Sequence, residues 1–159
     1  MQNERAFSIE DGCCDIENVR ELFSEYTDML GADLSFQHYD EELADLPGKY
    51  APPDGRLFIA YVDGKAAGCC AIRKMDTAGC CELKRLFVRP EFREYGIGRG
   101  LMDRAEEEAL AAGYGAIYLD TLERLGSAVR MYEKRGYERI EAYYENPLEN
   151  VLYFRKKLI

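Results

Sequence analysis

A chain of 159 residues, 47% hydrophobic and 32% charged, has room for one domain with a real core and a well-solvated surface. Its net charge of −9 and isoelectric point near 4.8 argue against a nucleic-acid binder, whose affinity rests on cations neutralising phosphates, and mildly favour a cationic, amine-bearing acceptor. No apolar run approaches the ~18 residues that cross a membrane, and MQNERAFSIEDG has neither the basic nor the apolar region of a secretion signal, so a cytoplasmic protein without a membrane partner is expected.

ERAFSIED reads as a short first strand. Six cysteines fall as three adjacent pairs, the first of them Cys13-Cys14, followed by Cys69-Cys70 and Cys80-Cys81. Neighbours on a strand point to opposite faces, so such a pair chelates poorly and is seldom one disulfide. With no CxxC and His38 the only histidine, no metal site is expected, and the thiols read as reduced, small apolar groups.

Asp15 is placed to cap a helix in which Ile16, Val19, Leu22, Phe23, Tyr26 and Met29 recur at helical spacing, with Gly31 as its stop. DEELADL predicts a short second helix closed by Pro47-Gly48, and KYAPPDG a loop. RLFIAYV and KAAGCCAIRKM flank Asp63-Gly64, a hairpin signal. In the next strand, CELKRLFV, alternation puts Glu82, Lys84 and Leu86 on one face and Leu83, Arg85 and Phe87 on the other. A long helix follows, with Ile97, Leu101, Ala105, Ala109 and Ala112 on its buried face and Gly113 and Gly115 at its end. AIYLDT is a buried strand. SAVRMYEKRGY is a short helix with Ser127 as cap and Gly136 as stop, and YERIEAYY and NVLYFRKKL close the chain as strands around ENPLE. The order βααβββαβαββ has no linker or repeat and predicts a single mixed α+β domain over residues 1–159.

The stretch REYGIGRG, residues 93–100, puts three glycines in five residues where the long helix starts. The first N–H groups of a helix lack internal partners, and the helix dipole adds to their positive charge. A loop bringing more N–H groups to that point makes an anion site, and Gly96 and Gly98 remove side chains that would hold phosphate oxygens away. A Walker A loop would need Lys and Ser/Thr after its last glycine, and a dinucleotide fingerprint would need GxGxxG directly after a strand; neither pattern is present. On the glycines alone, a plain glycine-rich helix start remains an alternative.

The surroundings narrow the reading. Strand CELKRLFVRPEF, then Arg93-x-x-Gly96-x-Gly98, an amphipathic helix, strand AIYLD and Ala128-x-x-x-Tyr132-x-x-x-Gly136-Tyr137 together resemble the GNAT superfamily of N-acetyltransferases. Its acyl-CoA signature reads Q/R-x-x-G-x-G/A. AVRMYEKRGY matches a second segment of the family, with Met131 for the usual Leu and Tyr137 for the usual Phe. The resemblance implies one central, twisted, mostly antiparallel sheet of about seven strands flanked by about four helices.

It also implies acetyl transfer from acetyl-CoA to a primary amine by direct attack in a ternary complex, or, as the alternative, an acyl-CoA sensor that does not turn over. Arg93, Glu94, Tyr95, Gly96, Ile97, Gly98 and Arg99 would hold the pyrophosphate of acetyl-CoA, with Arg93 either adding charge or bracing the loop. Glu94 is a departure, because an inward carboxylate there would weaken the site. Leu86, Phe87 and Val88 would flank the pantetheine arm next to a β-bulge, and Ser127 and Tyr132 would complete the cofactor side. Tyr132 occupies the position of the family's general acid, against the alternative of a core tyrosine. Glu82, eleven residues before Arg93, is the first candidate base, Asp120 the second and a water chain the third; a salt-bridged strand carboxylate is the rival reading for Glu82. The acceptor side is expected from the first helices and last hairpin, with Tyr26, Phe36, Tyr143, Tyr144 and Asn146 as lining. The closing strands offer an edge through which two subunits could form a homodimer.

Overall fold

The computed structural model describes residues 6–159, so Glu4 and Arg5 of the predicted first strand lie outside the described residues. The chain runs through β1 (Ser8–Asp11), α1 (Ile16–Leu30), α2 (Tyr39–Ala44), β2 (Arg56–Val62), β3 (Lys65–Lys74), β4 (Cys80–Val88), α3 (Ile97–Ala111), β5 (Ala116–Leu122), α4 (Gly126–Lys134), β6 (Glu138–Ile140) and β7 (Val151–Lys157). One sheet takes the order β1-β2-β3-β4-β5-β7-β6 and is antiparallel throughout except where β4 meets β5. None of the helices is long and apolar enough to cross a membrane among the described residues.

Local chemistry sets these elements. Asp15 caps α1, its carboxylate accepting the Asn18 N–H, and Gly31 ends the helix in the left-handed conformation. The β2–β3 turn places Asp63 and Gly64 at positive φ, 49° and 78°, as a tight hairpin requires. Each sheet face carries its own core. Val19, Leu22 and Phe23 of α1 pack on one face with Leu57, Ile59 and Cys69; Leu101, Met102 and Ala105 of α3 pack on the other with Phe58, Cys70 and Ile72. Cys69 and Cys70 thus point to opposite faces, both fully buried, and burial pushes both thiols up.

Four expectations are corrected. Ala112 is exposed, and Met102 takes its place on the buried stripe of α3. Ser127 does not cap α4: the helix starts at Gly126, Leu125 holds the cap position, and a hydroxyl already inside the first turn accepts from Arg130 instead. The strand expected over YERIEAYY stops at Ile140, because Tyr143 and Tyr144 leave the ladder to reach carboxylates on β4 and β5.

The fourth concerns β4. Cys69 pairs with Phe87 but Ala71 with Lys84, so Arg85 and Leu86 together oppose Cys70 in a bulge, with Arg85 at φ 60°. The extra residue breaks the alternation. Leu83, Leu86 and Val88 turn to the α3 face, whereas Arg85 packs with Tyr39 and Glu42 on the α1 face that also takes Phe87.

Candidate active site

β4 and β5 are paired only from Cys80–Ala116 to Glu82–Tyr118. Beyond that point the two strands part from each other while β4 stays paired to β3 and β5 to β7, and residues 83–88 and 119–122 wall a cavity of about 550 Å³. The end of parallel pairing thus opens a cleft at the strands' C-terminal ends, where α/β sheets bind ligands.

One end of the cavity is built for an anion. Gly96, at φ 80°, turns the chain into α3, and no side chain caps the helix, so its first N–H groups are left for a ligand. Gly98 sits on the cavity wall, where an added Cβ would meet nothing nearer than Met131 Sδ at 3.9 Å. Gly100 serves packing instead, since a Cβ there would press on the Phe7 ring at 2.8 Å. Arg93 lines the cavity and donates from Nε to the Val88 carbonyl at 3.2 Å, bracing the loop while adding charge. The first turn of α4, through Gly126 and Ser127, forms the facing wall, and its N-terminus is also free of a side-chain cap.

Of the expected cofactor residues, Leu86, Phe87, Val88, Arg93, Gly98, Ser127 and Tyr132 line the cavity. Glu94 and Arg99 are exposed side chains outside the lining, so Glu94 does not oppose an anion from within. Tyr95 packs on the Phe92 ring, and the Ile97 side chain is fully buried in the core. Gly96 and Ile97 can contribute only backbone N–H groups.

Glu82 is not on the cavity wall. It is 1% exposed, with Oε1 accepting from Arg73 at 2.8 Å and Oε2 from the Tyr143 hydroxyl at 2.6 Å. Burial alone would raise its pKa, but Lys84 and Arg73 hold it below the usual carboxylate range. A carboxylate so fully engaged is poorly placed to take a proton, and neither Tyr143, which is committed to it, nor Tyr144 lines the cavity as expected.

Asp120 does line the cavity. Burial raises its pKa, with Lys84 and the donated Tyr144 hydroxyl acting in the opposite direction. Asn146 donates to that hydroxyl at 2.9 Å, which fixes the hairpin loop over the site. Tyr26 also lines the wall, and burial pushes its phenol up to about 12. Phe36 lies outside the lining, in the apolar core under α1. Tyr132 is 5% exposed, burial holds its phenol protonated, and no described residue accepts from its hydroxyl.

Sequence reasoning missed Lys84, Arg85, Arg124 and Gln37 on the wall and Glu42, which pairs with Arg85 from behind it. Two consecutive cations between leucines in a buried strand, Lys84-Arg85, were the available signal. Among the described residues, no group of three or more His, Cys, Asp or Glu side chains could hold a metal ion.

The profile of the acetyltransferase (GNAT) family matches residues 16–137. An N-acetyltransferase of Schizosaccharomyces pombe, itself uncharacterised, is 41% identical over 91% of this chain and 89% of its own length. A GNAT-family acetyltransferase structure from Staphylococcus aureus superposes with a TM-score of 0.80 at 20% identity, covering 97% of this chain and 100% of that one. The PaiA N-acetyltransferase of Thermoplasma acidophilum, solved with coenzyme A, superposes with a TM-score of 0.71 at 18% identity over 96% of this chain and 99% of that one.

Proposed function

Because the chain belongs to the GNAT acetyltransferase family, we propose that it moves the acetyl group of acetyl-CoA onto a primary amine by direct attack in a ternary complex. The observation that carries this reading is one cavity joining an uncapped helix N-terminus, the Tyr132 phenol and the Asp120 carboxyl. The helix N-terminus and Arg93 suit the diphosphate, and residues 86–88 flank the route of the pantetheine arm.

The acceptor arrives as an ammonium and must lose a proton before its lone pair can attack. Asp120 takes that proton, directly or through a water, and its raised pKa brings it closer to the working range of a base. The nitrogen bonds to the thioester carbonyl carbon, the C–S bond breaks, and the electron pair leaves on sulfur. Tyr132, kept protonated by burial, gives its proton to that sulfur, and the second proton lost by the attacking nitrogen returns to the Tyr132 oxygen, so the products are the acetamide and the free CoA thiol, with Asp120 protonated.

The test is calorimetric titration of acetyl-CoA, followed by turnover measured chromatographically as CoA release. Micromolar binding to the wild type should disappear in Gly98→Glu, whose side chain would fill the phosphate position. Tyr132→Phe should keep the affinity and lose about 10²–10⁴-fold in kcat. Binding without turnover of any amine would leave acyl-CoA sensing as the function, and absence of binding would overturn both.

A further inference from the structure

The chain carries 30 acidic against 21 basic residues, yet the charged side chains on the cavity wall are Lys84, Arg85, Arg93 and Arg124 against one carboxylate, Asp120. Two of these cations are accounted for. Arg85 is held bidentately by Glu42 at 2.9 and 3.1 Å, and Arg93 is tied to Val88 at the diphosphate end.

Lys84 and Arg124 remain. Lys84 is 8% exposed and donates to the neutral Gln37 amide at 2.8 Å. Its nearest ion-pair oxygen, Glu82 Oε1, is 3.9 Å away and already lies 2.8 Å from Arg73. Glu82 and Asp120 both act on Lys84, yet burial still brings its pKa down to about 8, so the two carboxylates do not fully offset the cost of burying the charge. Arg124 donates to the Leu30 carbonyl at the end of α1 and, among the described residues, has no carboxylate within ion-pair distance. Glu123 and Glu149 share only an outer depression with it. The same wall adds the amides of Gln37 and Asn146. A spare buried ammonium, a spare guanidinium and amide groups are the chemistry that recognises a carboxylate.

Resting on the acetyltransferase reading, we propose that the acceptor is an amine that itself carries a carboxylate, an amino acid or a similar amino-carboxylate. Its carboxylate lies against Lys84 and Arg124 and its amine faces Asp120. This reverses the cationic preference that the chain's overall charge favours, because the local field on the wall, not the net charge, meets the bound acceptor.

The test compares proteinogenic amino acids with their carboxamides and decarboxylated amines, together with a polyamine, by chromatographic CoA release at saturating acetyl-CoA. At least one amino acid should exceed its own amide and amine by about tenfold or more in kcat/KM. Arg124→Gln, a change at an exposed side chain, should raise KM for that amino acid by about tenfold while leaving KM for its amide and the calorimetric affinity for acetyl-CoA unchanged, and Lys84→Met, assayed at a pH above the acid limb set by Asp120, should raise KM for the amino acid more than KM for its amide. Equal or better turnover of the amide, the decarboxylated amine or the polyamine would overturn this inference and leave acetyl transfer standing. No turnover of any acceptor by a protein that binds acetyl-CoA would overturn the transfer reading, and this inference with it.

Discussion

Asp120, as the proposed base, gives the cavity a pH signature that can be tested. Its pKa is raised by burial, so the carboxyl is still protonated at a pH where an exposed aspartate would be charged. A base must be deprotonated to act, so the acid limb of kcat/KM should lie higher than an exposed aspartate would set it, with activity lost as pH falls through it. Lys84 works against that rise. Lys84→Met should therefore move the acid limb to higher pH, while Asp120→Asn should remove the limb and cost about 10²–10⁴-fold in kcat. A pH–rate series on the three proteins checks this. An Asp120→Asn profile that keeps the wild-type limb would assign proton transfer to water. Glu82 shows what a residue-level reading of sequence cannot reach: its spacing from Arg93 is visible, but its engagement by Arg73 on the neighbouring strand and by Tyr143, 61 positions away, is not.

At the scale of elements, the bulge in β4 decides which side chains meet in the site. Strict alternation would send Arg85 and Phe87 to the face opposite Lys84; the inserted residue brings Arg85 and Phe87 round to the α1 face instead. Arg85 keeps a left-handed backbone, φ 60°, which is costly for a residue with a Cβ. Its side chain is 3% exposed, paired to Glu42 at 5% and stacked 5.1 Å from the centre of the Tyr39 ring, so α2 fixes the bulge through one ion pair. Glu42→Gln leaves a buried guanidinium uncompensated and should destabilise the protein by about 3–5 kcal/mol in urea unfolding. Adding Arg85→Met should recover much of that loss, because neither charge is then buried alone. A double variant no more stable than Glu42→Gln would show that packing, not charge, holds the bulge. The register shift is a property of two strands together, so no pattern within CELKRLFV reveals which residues it turns; only the family resemblance pointed to a bulge there.

For the whole molecule, element order, turns and the glycine-rich helix start were legible because each depends on neighbours in sequence: Asp15 reaches Asn18, Gly96 reverses its own backbone, and Asp63-Gly64 makes its own turn. The wall proposed for the acceptor was legible only in Tyr26, Asp120 and Asn146; Gln37, Lys84 and Arg124 were not, because the wall is assembled from α1, the loop carrying Gln37, β4, β5 and the last hairpin loop. That assembly has a thermodynamic consequence. The cavity lies between the splayed strands and draws on both helical layers, so acetyl-CoA can bind only the folded chain. At about 100 times its Kd, such a ligand adds about 2.7 kcal/mol of stability. For a domain of this size that is a rise in Tm of about 5–10 °C. Gly98→Glu should melt close to the wild type on its own: position 98 has open space at 3.9 Å, and a carboxylate in the first turn of α3 complements the helix dipole. The same variant should show almost no rise with acetyl-CoA. A thermal melt of both proteins, with and without acetyl-CoA, separates the two terms, and an undiminished rise in Gly98→Glu would move the phosphate cradle away from the N-terminus of α3.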